Sequence, residues 1–388
     1  MSLSWGNWDV RVYAAEAWVS LAPRFAAENP EIVEQIDAIL RDPVAAVRLQ
    51  AAQNLQVISV AAPDRMWEMA ERLAQEEPDP RIVSAFIGRS LLRFSHSQPE
   101  RCETILSIVR ERMADELSNE SEGRDHIQET LGHWVAQLYA GQGRPLLRGW
   151  LDEWASDPTR FRTLLNSYSS SLRGAYFHRY AKDAELEACE MNERAQEGLL
   201  AVLKSALSVS DQAYAVLASD AEEEPRQASQ EMYGGAEQVI HHAMNQLYFG
   251  AGAHSENEGG KGLLDREAMK RFLDDYAEIL VLLARSREPA TLHHLIELYE
   301  YLIPGDPVAV FEAIHSILLG RGEAEGYQYE SLGSSAVVRI VRRYIADHRS
   351  IFEDEGRRAH LLEILQLFSE AGWSDALRLL YDLPDLLR

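Results

Sequence analysis

Apolar residues recur with a helical period in the segment around residue 40. They stand at spacings of four, three and one, in Ile32, Ile36, Ile39 and Leu40, which places them on one helix face. Asp42-Pro43 interrupts the pattern, because Asp favours the N-cap position and Pro is tolerated at the first helical position. A second apolar face follows in Val47, Ala51, Ala52, Leu55 and Ile58. The segment predicts a helical hairpin whose second helix starts at Pro43, with at least one of Ala51 and Ala52 buried.

The same arrangement returns 37 residues later. Asp79-Pro80 separates two further apolar stripes, and Asp9-Val10-Arg11 aligns with Ala46-Val47-Arg48 one period earlier. The stripes are Met66, Met69, Ala70 and Leu73, and then Val83, Ile87, Leu91 and Phe94. A fixed period of 20–50 residues is typical of stacked helical hairpins, each of which buries its apolar face against its neighbours.

These motifs resemble the HEAT repeat. The second repeat reads Asp42-Pro43, Val47-Arg48, Ala51-Ala52 and Leu55. The first reads Asp9, Val10-Arg11, Ala14-Ala15 and Trp18, and the third keeps Asp79-Pro80 but has Ser84 in place of the arginine. The match is clear over roughly residues 9–95 and looser to about 180. The resemblance implies an α-solenoid with a scaffold or adaptor role, in which the second helices line the concave surface.

Beyond residue 180 the repeat register decays while the helical period persists. We expect one long helix from Leu263 to Ala284, and Pro304-Gly305-Asp306-Pro307 marks a helix–helix break. Further expected helices run from 292 to 302, 308 to 319, 337 to 345, 361 to 371 and 376 to 387. No segment alternates as a strand does. The chain therefore reads as all-α, with HEAT-like repeats in residues 1–180 and a less regular helical domain in residues 181–388. The part from about Tyr276 to Arg388 resembles C-terminal helical regions of large bacterial multidomain proteins, some linked to phage defence.

Composition and charge narrow the function classes. The chain has 388 residues and a net charge of −24, which repels phosphate backbones and disfavours broad nucleic-acid binding. Cys102 and Cys189 are the only cysteines, too few for a disulfide framework or a cysteine-rich zinc site. No apolar run reaches the ~18 residues of a membrane span, and the start lacks the pattern of a signal peptide. We expect a soluble cytoplasmic protein.

No motif for catalysis, cofactor binding or metal binding emerges. Neighbouring residues on a helix point about 100° apart, so neither His241-His242 nor His293-His294 has the i, i+3 or i+4 spacing that chelation on one face requires. His254 lies in a glycine-rich loop with two glutamates, and the glycines of that loop lack phosphate-loop spacing. We expect a non-enzymatic protein without cofactor or metal.

Arginines cluster on one predicted helix near the C-terminus. Arg339, Arg342 and Arg343 are spaced by three and four, with Arg349 slightly beyond, so they share a face. They form a candidate site for an anion, a nucleic-acid backbone or an acidic protein surface. The alternative is a solvated face with Glu330, Asp347 or Glu353 as counter-ions.

The N-terminal end is a candidate interface. The first repeat lacks a leading helix, so the stripe Val12, Ala15 and Val19 is expected to have no cover unless residues 1–8 fold back over it. Trp5, Trp8 and Trp18 add apolar surface there, and a large exposed apolar patch commonly marks an interface. We expect this end to meet more protein, which is an upstream segment, a second copy or a partner subunit.

Three functions are compatible with the sequence. The leading hypothesis is a protein–protein interaction scaffold, a subunit or fragment of a larger bacterial complex. The alternative is a nucleic-acid-binding HEAT-like protein that uses the Arg339/Arg342/Arg343 patch. The third, an enzyme such as a lyase, has no residue constellation to support it. A continuous positive groove would favour nucleic acid, and a groove of mixed charge would favour protein.

Overall fold

The computed structural model describes residues 9–114, 117, 125–219, 222–254, 263 and 265–386. Within these residues all regular structure is helical and no strand occurs, so the expected all-α class is confirmed. The chain divides into two compact units, Met1–Tyr139 with Arg144–Leu147 and Ala140–Gly143 with Arg148–Arg388. The division expected at residue 180 therefore falls inside the second unit.

The first unit is built from short amphipathic helices, and each packs on helices one or two places away in the chain. Its helices are α1 (Val10–Phe25), α2 (Glu31–Leu40), α3 (Ala45–Ala52), α4 (Pro63–Glu76), α5 (Pro80–Ala85), α6 (Pro99–Arg112) and α7 (Asp125–Val135). α1 packs on α2 and α3, α3 on α5, α5 on α7, and α4 on α6. The core of this unit thus lies between α1, α3, α5 and α7, which pack on one another in turn, and the helices α2, α4 and α6.

Two helices of this unit, α5 and α3, begin shortly after an aspartate. Asp79 accepts a hydrogen bond from Arg81 N and caps α5, whose first residue is Pro80, as expected. Asp42 behaves differently, because its Oδ1 accepts from Val44 N at 2.8 Å and α3 begins only at Ala45. The expected helix start at Pro43 is therefore wrong by two residues. Ala51 and Ala52 are both fully buried, which confirms their predicted packing.

The second unit continues with longer helices. They are α9 (Arg162–Ser171), α10 (Ala175–His178), α11 (Leu186–Leu217), α12 (Glu223–Ala251), α13 (Arg266–Asp275), α14 (Ala277–Leu283), α15 (Pro289–Leu302), α16 (Pro307–Ile317), α17 (Ser331–Asp347), α18 (Glu355–Glu370) and α19 (Ser374–Leu386). α8 (Pro145–Ser156) lies at the join of the two units in the chain. The single helix expected from Leu263 to Ala284 is two helices, which meet at Tyr276.

Neighbouring helices of the second unit also pack in sequence order. α12 packs on α11, α15 on α12, α17 on α15, and α19 on α17. On the other side α14 packs on α11 and α18 on α16. Asp306 caps α16 by accepting from Ala309 N at 3.0 Å, so the predicted break before Pro307 is confirmed. This order brings polar side chains of α12, α15 and α17 next to one another.

Candidate functional site

A polar network connects α12, α15 and α17, and we call it the polar seam: Asn245, Tyr248, His294, Glu297, Glu300 and Arg339. Glu297 is its centre, because one oxygen accepts from the Tyr248 hydroxyl at 2.8 Å and the other lies 3.3 Å from Arg339 Nη2. Arg339 also donates to Glu300, from Nε at 2.8 Å and from Nη2 at 2.6 Å. Its two glutamates therefore hold the guanidinium in a fixed orientation.

Histidine and tyrosine rings close one side of the seam. His294 stacks on Tyr248 with centroids 4.5 Å apart and planes within 2°, and its Nδ1 lies 2.6 Å from Asn245 Oδ1. Burial lowers the pKa of His294, and the nearby His241 and His293 lower it further. Burial raises the pKa of Tyr248, and its hydrogen bond to the Glu297 carboxylate raises that pKa further. Both groups are therefore neutral at pH 7.

The two histidine pairs of the sequence meet in space, because His241 of the first pair stacks on His294 of the second with ring centroids 5.6 Å apart. His293 Nδ1 lies 3.0 Å from the Tyr327 hydroxyl, while His294 faces Asn245. His241 Nδ1 lies 3.1 Å from Thr291 Oγ1. The members of the second pair thus serve different partners, which agrees with the 100° rotation between neighbouring helical residues.

Two cavities flank the seam. One of about 270 Å³ is lined by Tyr248, His254, Tyr301 and the charged groups around Arg339. The other, of about 320 Å³, is lined by Pro289, His293, Tyr327 and Leu332 among others. Acidic, basic and aromatic groups alternate along this surface, so it can contact a partner through ion pairs, hydrogen bonds and ring packing together.

The arginines expected as one patch have different environments. Arg339 is about half exposed, at 49%, and Arg343 Nη1 donates to the Glu300 carbonyl at 2.9 Å. Arg342 is exposed, and Arg349 Nη1 lies 3.4 Å from the Leu386 carbonyl oxygen. The counter-ions of Arg339 come from α15 rather than from Glu330, Asp347 or Glu353, because the packing of α15 on α17 places them closer.

The N-terminal candidates are only partly described. Trp5 and Trp8 lie outside the described residues, and Trp18 is half-buried. The stripe Val12, Ala15 and Val19 is buried, so the expectation that it lacks a cover is wrong, because α2 and α3 pack against it. α1 exposes a different apolar face, which consists of Val10, Tyr13, Leu21 and Phe25.

The sequence did not single out Tyr248, Glu297 or Glu300 as site residues. The available signal in the sequence was the i, i+3 spacing of Glu297 and Glu300, about one helical turn after the second histidine pair. This spacing indicates a site only once the structure shows that α17 places Arg339 beside both glutamates. Among the described helices none is long and apolar enough to cross a membrane. No protein-family model, curated protein or solved structure matched this chain.

Proposed function

We propose that this chain is a non-enzymatic protein-interaction scaffold built from HEAT-like helical hairpins. The packing order supports the hairpin stack in each unit. In the first, α1, α3, α5 and α7 form one row and α2, α4 and α6 the other; in the second, α12, α15, α17 and α19 follow one another in the same manner. A stack of this kind presents one row of helices as a continuous surface.

An arginine ladder also supports the repeat. Arg11 and Arg48 stand one 37-residue period apart. Arg11 pairs with Asp42 of the following hairpin, and Arg48 pairs with Glu77 of the next at 2.8 Å. Both arginines thus pair with an acidic side chain about 30 residues further along the chain, and this similarity supports the repeat, although Asp42 and Glu77 stand 35 rather than 37 residues apart. Ser84, at the third such position, instead lies 2.8 Å from Thr130 Oγ1.

The mixed charge of the polar seam favours a protein partner over a nucleic acid. A nucleic-acid backbone needs uncompensated positive charge, whereas Arg339 is clasped by Glu297 and Glu300. Phosphates approaching Arg339 would meet both carboxylates. A polypeptide segment can match both signs, because it supplies hydrogen-bond donors for the glutamates and acidic side chains for Arg342, an exposed arginine one turn after Arg339 on α17, beside the seam. The proposed occupant of the seam is therefore such a segment of another protein.

The proposed location is the cytoplasm of a bacterial cell, as part of a larger complex. Both cysteines are described and neither forms a disulfide, which is consistent with a reducing compartment.

Reversal of one exposed charge tests the proposal. Partners are captured from the native host, identified by mass spectrometry and purified, and their affinity for this chain is then measured by calorimetry. We expect Arg342→Glu to weaken binding at least about tenfold, or ~1.4 kcal/mol. The matched control is Arg226→Glu, another exposed arginine about 33 Å along α12 from Tyr248 at 1.5 Å rise per residue.

Two results would overturn the proposal. One is a purified partner that binds Arg342→Glu and the unaltered chain equally well. The other is tight binding of single-stranded or duplex nucleic acid at physiological salt, abolished by Arg342→Glu. That second result would assign the seam to nucleic acid.

A further inference from the structure

Two pairs of metal-ligating residues stand on neighbouring helices of the second unit, away from the polar seam. Glu312 and His315 are spaced i, i+3 on α16, and His360 and Glu363 have the same spacing on α18. Residues three apart on a helix lie on one face, and α16 packs against α18. The four side chains therefore meet at one helix–helix contact.

The pairs are aligned across this contact. His360 Nδ1 lies 2.9 Å from Glu312 Oε2, and His315 Nε2 lies 2.7 Å from Glu363 Oε2. The two imidazole rings stack with centroids 3.9 Å apart and planes within 11°. One ligand atom from each of Glu312, His315 and His360 lies within 4.8 Å of the others.

These separations are close to those of a zinc centre. Ligands about 2.0–2.2 Å from a tetrahedral Zn²⁺ lie roughly 3.4 Å from each other, so modest side-chain rotations bring the donor atoms around one ion. When they bind a metal ion, two carboxylates and two imidazoles supply a charge of about −2, which a divalent cation neutralises. His315 is 16% exposed and Glu363 50% exposed, so an ion can enter from solvent.

We infer that Glu312, His315, His360 and Glu363 form a binding site for Zn²⁺ or a related transition-metal ion that links α16 to α18. Nitrogen and oxygen donors together suit Zn²⁺ and Co²⁺, whereas Mg²⁺ and Ca²⁺ prefer oxygen ligands alone. Metal binding is independent of the proposed partner and adds a bridge between two successive hairpins.

Titration of the folded chain with metal tests the inference. The protein is produced without a polyhistidine tag, treated with chelator and titrated with Zn²⁺ by calorimetry and with Co²⁺ by visible absorption. We expect one equivalent to bind, with the intense visible bands of four-coordinate Co²⁺, a rise in Tm, and no competition from excess Mg²⁺. His315→Ala and His360→Ala should each weaken Zn²⁺ binding at least about tenfold.

Controls separate the site from general histidine binding. His178→Ala removes an exposed imidazole elsewhere in the same unit and should leave Zn²⁺ affinity unchanged. Glu312→Gln keeps the side-chain shape and should weaken binding even if a histidine variant fails to fold, which circular dichroism would reveal. Unchanged affinity in folded His315→Ala or Glu312→Gln, or no binding by the folded unaltered chain, would overturn the inference.

Discussion

Removal of Arg48 should destabilise the first unit far more than the loss of an ordinary surface ion pair. The guanidinium donates to Glu77 from Nε and Nη2, both at 2.8 Å, and Nη1 donates to the Asp42 carbonyl at 2.9 Å. The Glu77 side chain is 2% exposed and that of Arg48 is 13% exposed. The side-chain hydrogen bonds to Glu77 raise the pKa of Arg48, so the guanidinium is charged at neutral pH.

The magnitude follows from the burial of Glu77. Arg48→Met keeps much of the aliphatic stem but leaves the Glu77 carboxylate buried, with the Asp79 backbone N–H, 3.0 Å from Oε1, as a remaining hydrogen-bond donor. An uncompensated buried charge of this kind costs about 3–5 kcal/mol. The second variant, Glu77→Gln, removes the charge, so Arg48→Met with Glu77→Gln should lose less than the sum of the two single changes.

Urea denaturation of the full chain, followed by far-ultraviolet circular dichroism at pH 7, measures these changes. Arg65→Met is the control, since Arg65 is 40% exposed, its nearest partner Glu68 is 60% exposed, and Glu34 and Asp37 lie further away at 3.4 Å; such exposed pairs contribute only about 0–1 kcal/mol. A loss below about 1 kcal/mol for Arg48→Met, equal to that of Arg65→Met, would refute the reasoning. So would simple additivity of the Arg48 and Glu77 changes.

Three further changes probe packing and charge. Ala52→Leu should cost about 1–3 kcal/mol by overpacking, because Ala52 is fully buried; urea denaturation measures it. Gly198→Ala should cost a similar amount, since its Cβ would lie 2.0 Å from the Tyr168 hydroxyl; the Tm reports it. The pKa of Asp79 is lowered, first by the side-chain hydrogen bond from Arg81. The ionised carboxylate therefore stabilises the fold fully above the unfolded pKa of ~3.9, and this stabilisation disappears as the pH falls through the folded pKa. The difference in the free energy of unfolding between the unaltered chain and Asp79→Asn should consequently narrow from pH 7 to pH 3.

Gly198→Ala has a matched control, and each of these changes has an outcome that would contradict it. Gly234→Ala meets no atom within 4 Å and should stabilise its helix by up to about 1 kcal/mol. An equal drop in Tm for both glycine variants would contradict the packing argument. A gap for Asp79→Asn that stays constant down to pH 3 would show that the carboxylate charge contributes nothing, and an unchanged stability of Ala52→Leu would place that helix face in a looser environment.

The helices themselves were largely determined by the local sequence. The stripes around residues 32–40 and 66–73 and the caps at Asp79 and Asp306 lie where the pattern put them. These features depend on contacts within four residues along the chain, which periodicity and capping chemistry encode directly. The split of the expected Leu263–Ala284 helix at Tyr276, in contrast, accompanies a contact with a residue distant in the sequence. Tyr276 is buried, and its hydroxyl donates to the Tyr176 carbonyl, 100 residues away.

The sites were decided by contacts between helices that are distant in the sequence. Arg339 meets Glu300 across 39 residues, and His315 meets Glu363 across 48. No local pattern specifies which face of one helix lies against another, because many apolar faces of similar composition could pair. The sequence determined that Arg339, His315 and their partners stand on helices. Only the packing of α15 on α17 and of α16 on α18 placed opposite charges and metal-ligating atoms within reach of each other.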